Sequence, residues 1–154
     1  MDRIDRKLLA LLQEDCTLSI AQLADQVGLS QTPAWKRVQR LEATGVIQRR
    51  VALLSPEALG LGLTVFVSIE AGDHSPDWLA RFAKAVSSFP EVVEVHRMAG
   101  DIDYMLRVVT RDIPAYDAFY KRLISAVPEL KNVSSRFSME RVKFTTALPL
   151  DEAV

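Results

Sequence analysis

Ser19-Ile20-Ala21-Gln22-Leu23-Ala24-Asp25-Gln26-Val27-Gly28-Leu29-Ser30-Gln31-Thr32-Pro33-Ala34-Trp35-Lys36-Arg37-Val38 holds two short helical patterns with a glycine between them. Ser19 is placed to cap the first, with Gln22 three residues on as its capping-box partner. Ile20, Leu23, Ala24 and Val27 form its apolar face. Gly28 suits the left-handed position that closes a helix, and Leu29 packs into the turn. Ser30 opens the second helix, Pro33 is tolerated in its first turn, and Gly45 ends it. Ala34, Val38 and Leu41 face inward. Two helices, a tight glycine turn and a polar second helix make a helix-turn-helix pattern.

Upstream, Asp2 caps a further helix whose apolar stripe is Ile4, Leu8, Leu11 and Leu12. The helix opened by Ser30 carries Gln31, Thr32, Lys36, Gln39 and Arg40 off its apolar face. Such side chains reach base edges or phosphates, and the helix N-terminus at Ser30 itself favours a phosphate oxygen. Ser30 to Arg50 holds five basic residues, Lys36, Arg37, Arg40, Arg49 and Arg50, against one acid, Glu42. Residues 51–154 hold 11 basic and 14 acidic ones. A basic segment on a mildly acidic body fits a part that meets phosphate; a solvated helix face fits the charges alone equally well. Trp35 either packs beside the core stripe or lies flat on a DNA backbone. Arg49 and Arg50 either touch flanking phosphates or are only solvated. Val46 to Leu54 is expected to be a strand.

Ser55, Pro56, Gly60 and Gly62 mark a boundary. Beyond it, Leu63–Ala71 reads as a strand and Pro76–Phe89 as a helix with Leu79, Phe82, Ala83 and Val86 on one face. Val92–Ala99 and Tyr104–Thr110 read as a hairpin about a turn at Gly100 to Asp103. Pro114–Val127 reads as a helix with Tyr116, Phe119, Tyr120, Leu123 and Ile124 inward, and Val133–Thr145 as the last strand. The order β-α-β-β-α-β is ferredoxin-like. The fold class is therefore α+β: a winged-type helix-turn-helix at 1–50, a linker at 51–62, and a ferredoxin-like domain at 63–154. Two helices cover one sheet face. The small apolar sheet needs cover on the other, which predicts a face-to-face homodimer.

The 154 residues are 49% hydrophobic and 25% charged, with a net charge of −1, a globular balance. No apolar run approaches the ~18 residues that span a bilayer, and no signal-peptide pattern opens the chain. Cys16 has no cysteine partner, so the expected compartment is the cytosol. His74 and His96 are isolated, which argues against zinc; no phosphate loop or nucleophile elbow is present. Cys16 reads as inert filler more readily than as a thiol sensor.

Gly100-Asp101-Ile102-Asp103-Tyr104 reads either as a plain hairpin turn or as a ligand clamp. Two carboxylates at a strand end repel each other, and an ammonium group relieves that. The turn's N–H groups suit a carboxylate. A free amino acid supplies both charges.

These stretches, with Ile4-Asp5-Arg6-Lys7-Leu8-Leu9, Arg40-Leu41-Glu42, Gly45-Val46-Ile47 and Met139-Glu140, resemble the leucine-responsive regulatory protein and asparagine-regulator family of transcription regulators over nearly the whole chain. The resemblance implies no enzyme, no cofactor and no metal. It implies double-stranded DNA as partner and homodimers that assemble to tetramers or octamers. It also implies an amino-acid effector bound between the sheet domains, with cysteine, leucine and methionine among the candidates. Ser30, Gln31, Thr32, Trp35, Lys36, Arg37, Arg40, Arg49 and Arg50 form the expected DNA-binding set. By match, Met98, Gly100, Asp101, Asp103 and Tyr104 take the effector-turn role, and Arg136, Phe137 and Ser138 line the pocket from the last strand. Leu11-Leu12-Gln13-Glu14-Asp15-Cys16, Trp35-Lys36-Arg37 and Tyr120-Lys121-Arg122-Leu123 resemble the family's cysteine-responsive branch, from which Ala34 departs where that branch commonly has cysteine. Two rivals remain beside this resemblance. One is an enzyme using Asp101 or Asp103 as general base. The other is a scaffold whose helical head grips another protein.

Overall fold

The computed structural model describes residues 1–150. Three helices make the head: α1 (Arg3–Glu14), α2 (Ile20–Val27) and α3 (Gln31–Ala43). Each begins where the sequence expects. Asp2 caps α1 in a reciprocal box with Asp5, and Ser19 does the same for α2 with Gln22. Gly28 closes α2 at φ 72°, a left-handed conformation open to glycine without a Cβ penalty. Ser30 precedes α3 in extended geometry, but its hydroxyl makes no capping bond. Leu8, Leu23 and Val38, one from each helix, meet as the buried centre of the head.

The strand expected at Val46–Leu54 is absent. The segment is apolar enough, but among the described residues no other stretch of this chain pairs with its N–H and C=O groups, and a lone strand has no ladder to join. The head is therefore a three-helix unit, with no strand among its described residues. Compact packing groups Met1–Leu53 with the described residues from Val142 onward, and Leu54–Arg141 as a second unit. By packing, residues 142–150 group with the head. Gln13 holds them to α1: its Nε2 donates to the Leu148 carbonyl at 3.2 Å and its Oε1 accepts the Leu148 N–H at 2.6 Å.

The second unit runs β1 (Leu63–Ala71), α4 (Pro76–Ser88), β2 (Val92–Arg97), β3 (Tyr104–Thr110), α5 (Ile113–Ala126) and β4 (Leu130–Phe137). The sheet order is β2-β3-β1-β4, antiparallel throughout. Alternate β1 and β3 residues, Val65, Val67, Ile69, Leu106 and Val108, are wholly buried beneath α4 and α5. Trp78, Phe82 and Val86 form the inner face of α4; Ala83, expected there, is exposed, and Trp78 takes its share of the core. Ile124 of α5, also expected inward, is 39% exposed.

The last strand is shorter than expected and starts earlier. Its final ladder bond is Ser138 N–H to the Thr64 carbonyl, 2.9 Å. β1 starts at Leu63, so no partner backbone remains for residues 139–145. On the sheet face away from the helices the pleat sets Phe66, Met105 and Val109 beside polar groups. Arg107 binds Glu94 through Nε and Nη2, and Arg136 Nη1 donates to Ser68 Oγ. That face is mixed, not the apolar surface the sequence suggested. No helix among the described residues is long and apolar enough to cross a membrane.

Candidate nucleic-acid interface and effector turn

On α3 the buried stripe is Ala34, Val38 and Leu41. The opposite face exposes Gln31, Thr32, Trp35, Lys36 and Gln39. Trp35 is 49% exposed, so of the two readings of this ring, packing into the core is not what the fold does with it. Lys36 and Arg49 are exposed and make no hydrogen bond or ion pair with a described residue. Arg50 is paired with Glu42 at 2.9 Å on the surface.

Arg37 and Arg40 behave differently from the free cations. Arg37 Nη1 reaches Asp2 Oδ2 at 2.7 Å and Asp5 Oδ1 at 2.8 Å, and Arg40 Nη2 reaches Asp5 Oδ2 at 2.7 Å. Both belong to the expected DNA-binding set; three apart on a helix, they share a side turned toward the start of α1. The Asp5 backbone N–H and the Arg37 guanidinium hold the Asp2 carboxyl down at about 2. For Asp5, burial pushes the pKa up, and the Asp2 N–H and Arg37 outweigh it, leaving a net depression. Sequence reasoning missed Asp5. Its signal was its place three residues after a capping aspartate, opposite two arginines of equal spacing.

In the second unit the turn between β2 and β3 is built as read. Met98 N–H donates to the Asp103 carbonyl at 2.8 Å, and Gly100 sits at φ 129°. The two carboxylates differ. Asp103 Oδ2 accepts the Ala71 N–H at 2.8 Å, and His74 Nδ1 lies 3.9 Å from its other oxygen. The Asp101 carboxylate is exposed and makes no bond to a described residue. Met98, three residues before it, is 41% exposed.

The rest of the expected effector set disperses. The Tyr104 ring turns to the helices, 4.4 Å from Phe82 between centroids, and is buried. Phe137 faces Tyr116 on that same side, 5.3 Å away, whereas Arg136 occupies the opposite face on Ser68. Tyr104 pairs with Ile69, and Ser138 bonds Thr64. Five residue steps along β1 separate those points, about 17 Å at the usual strand rise. One chain therefore does not bring the turn and Ser138 together, whereas the Arg136 side chain reaches back to Ser68, beside Met105. Cys16 is half-buried and free. Among the described residues no three His, Cys, Asp or Glu side chains cluster to hold a metal.

A helix-turn-helix head joined to a βαββαβ unit with an exposed acidic turn defines a ligand-responsive DNA-binding protein. The AsnC-type helix-turn-helix domain matches residues 1–42, and the Lrp/AsnC ligand binding domain matches residues 64–148. The chain is 54% identical over 151 residues to the DNA-binding transcriptional activator DecR of Escherichia coli K12, covering 98% of this chain and 99% of that one. A crystal structure of an AsnC family transcriptional regulator from Agrobacterium tumefaciens superposes with TM-score 0.95 at 59% identity, over 100% of both chains. A Neisseria meningitidis transcriptional regulator solved as its L-Met complex superposes with TM-score 0.94 at 32% identity, over 100% of this chain and 99% of that one.

The chain belongs to the Lrp/AsnC family of DNA-binding transcription regulators. Residues 64–148 make up the family's ligand-binding domain. The enzyme and scaffold rivals give way to that assignment.

Proposed function

We propose that a homodimer of this chain reads duplex DNA with α3 and that an amino acid held at the Gly100–Asp103 turn changes its assembly or DNA affinity. The observation that carries the reading is the outer face of α3, where Gln31, Thr32, Trp35 and Lys36 are exposed around an N-terminus opened by Ser30. Gln31, Thr32 and Lys36 read base edges; Trp35, Arg49 and, after yielding Glu42, Arg50 touch the backbone. Two such helices in a dimer address successive major grooves roughly 34 Å apart. The setting is the cytoplasm, where the DNA is.

Dimer contact runs across the open sheet face, with Phe66, Met105 and Val109 at its centre and the Arg107–Glu94 pair on its edge. Dimers assemble further, to tetramers or octamers. The effector site is shared between chains, because a single β1 holds the turn and Ser138 far apart. Asp101 receives the effector's ammonium group and the turn's N–H groups its carboxylate. Cysteine is the first candidate, from the resemblance to the cysteine-responsive branch. Methionine is the second, since the Neisseria relative was solved with it. Leucine is the third. Binding acts only through unequal affinity for two assembly states.

A thermal-shift screen of the twenty amino acids tests the effector, and gel retardation of genomic fragments with and without the hit tests the coupling. A genuine ligand at ~100 times its dissociation constant stabilises the fold by ~2.7 kcal/mol. Twenty flat melting curves, or a hit that leaves both retardation and oligomer size unchanged, would remove the effector from the account.

A further inference from the structure

One buried carboxylate holds two of the three cations that α3 carries. Asp5 is 1% exposed. Its oxygens take Arg37 Nη1 at 2.8 Å, Arg40 Nη2 at 2.7 Å and the Asp2 N–H at 3.0 Å. Asp2 adds a second contact to Arg37 at 2.7 Å. Two aspartates and two arginines thus close a neutral quartet. The acids cannot follow the arginines outward, because each is fixed by the capping box that starts α1. Lys36, beside Arg37 in the chain, is exposed and has no such tie.

We infer that Asp5 is a specificity-determining residue of the head: it withholds Arg37 and Arg40 from the phosphates and leaves groove contact to Gln31, Thr32 and Lys36. The inference rests on α3 being the groove-reading helix. A free guanidinium takes any phosphate in reach, which adds affinity for all sequences alike. Discrimination is a difference between affinities, and sequence-blind contacts dilute it. A guanidinium already bound to a buried carboxylate gives up a charge-assisted bond before it can turn to a phosphate, even though the Arg37 and Arg40 side chains are themselves 27% and 56% exposed. Asp5 is therefore an acid whose removal tightens sequence-blind binding and erodes selectivity, although it lies inside the head.

The test is fluorescence-anisotropy titration of the full chain over a salt series. The two duplexes are one of mixed sequence and one enriched from a random library by the wild-type protein. Asp5→Asn, checked for native circular dichroism, is expected to steepen the log K against log salt slope on mixed-sequence DNA by about 0.9 per arginine released, and to lower the ratio of the two affinities. A merely structural ion pair, once lost, weakens both duplexes without steepening either slope. Arg40→Gln in the otherwise native chain is expected to leave the slope as it is, since that charge is already spent on Asp5. If Asp5→Asn does not fold, Arg40→Gln decides alone. A slope that falls by about 0.9 in Arg40→Gln, or fails to steepen in folded Asp5→Asn, overturns the inference. Wild-type protein that binds neither duplex at low salt overturns the groove-reading role of α3 instead, so the two failures are told apart.

Discussion

Asp103 and Ala71 are joined across the sheet, the aspartate Oδ2 accepting the Ala71 N–H at 2.8 Å just past the last β1–β3 rung at Ile69 and Tyr104. The bond makes Asp103 a strap on the end of β1 and leaves Asp101 as the turn's unengaged carboxylate. Asp103→Ala orphans the N–H of buried Ala71 and is expected to destabilise the fold by roughly 1–3 kcal/mol. Asp101→Ala is expected to leave the melting temperature in place and to abolish the shift produced by the amino-acid hit. Differential scanning fluorimetry of both variants, with and without that amino acid, separates the roles. Equal destabilisation by the two would contradict them.

The exposed face of α3 sets the second expectation. Trp35→Ala removes a ring that is 49% exposed, so the head should melt where it did before while DNA affinity drops. Lys36→Gln should lower the salt slope of binding by about 0.9, the worth of one phosphate contact. Anisotropy titrations read both, and an unchanged slope in Lys36→Gln would take that lysine off the interface.

Acid pH gives a third. Asp2 and Asp5 have folded values below the ordinary aspartate value of 3.8, Asp2 at about 2. For a depressed carboxylate the unfolded chain takes up the proton first. The stabilisation is complete above the ordinary value and is lost as pH falls through the folded one. Asn caps a helix about as well as Asp, so Asp2→Asn keeps the cap and deletes the charge. Its urea midpoint should fall less than that of the wild type between neutral pH and about pH 3. Parallel losses in the two proteins would show that the Asp2–Arg37 pair adds nothing in solution.

The two phenylalanines Phe66 and Phe82 lie on opposite sides of the sheet system and should fail in opposite ways. Phe82 is 2% exposed beneath α4, and Phe82→Ala is expected to cost about 3–5 kcal/mol. Phe66 is 39% exposed on the open face. Phe66→Glu is expected to give a folded monomer by light scattering, because the charge meets its own copy across the dimer axis. A dimer of undiminished strength would move the subunit contact elsewhere.

Much of the architecture was legible because the local signals are strong. The Asp2 and Ser19 caps, Gly28, and the bounds Leu63–Ala71 and Tyr104–Thr110 agree with the sequence residue for residue. The two strand misses share one cause. Val46–Leu54 has the composition of a strand, and residues 138–145 continue one, but a strand exists only where another backbone faces it. Trp78 was passed over for Ala83 because both fit a helical period, and only the volume beneath the sheet favours the larger ring. The candidate site was half legible. The turn at Gly100 announced itself through residue types that turns demand; the set Arg136–Ser138 did not show that its members point to two faces.

Helix starts, the order of elements along the chain, the glycine turn and family membership were written in the one-dimensional pattern, since caps, periodicity and turn chemistry act within a few residues of chain. Which arginines are free, which aspartate of the turn is engaged, and which end of β1 meets which part of β4 were decided only in three dimensions. Charge pairing and strand register join residues such as Asp5 and Arg40 that lie far apart along the chain, and no local signal carries a distance between them.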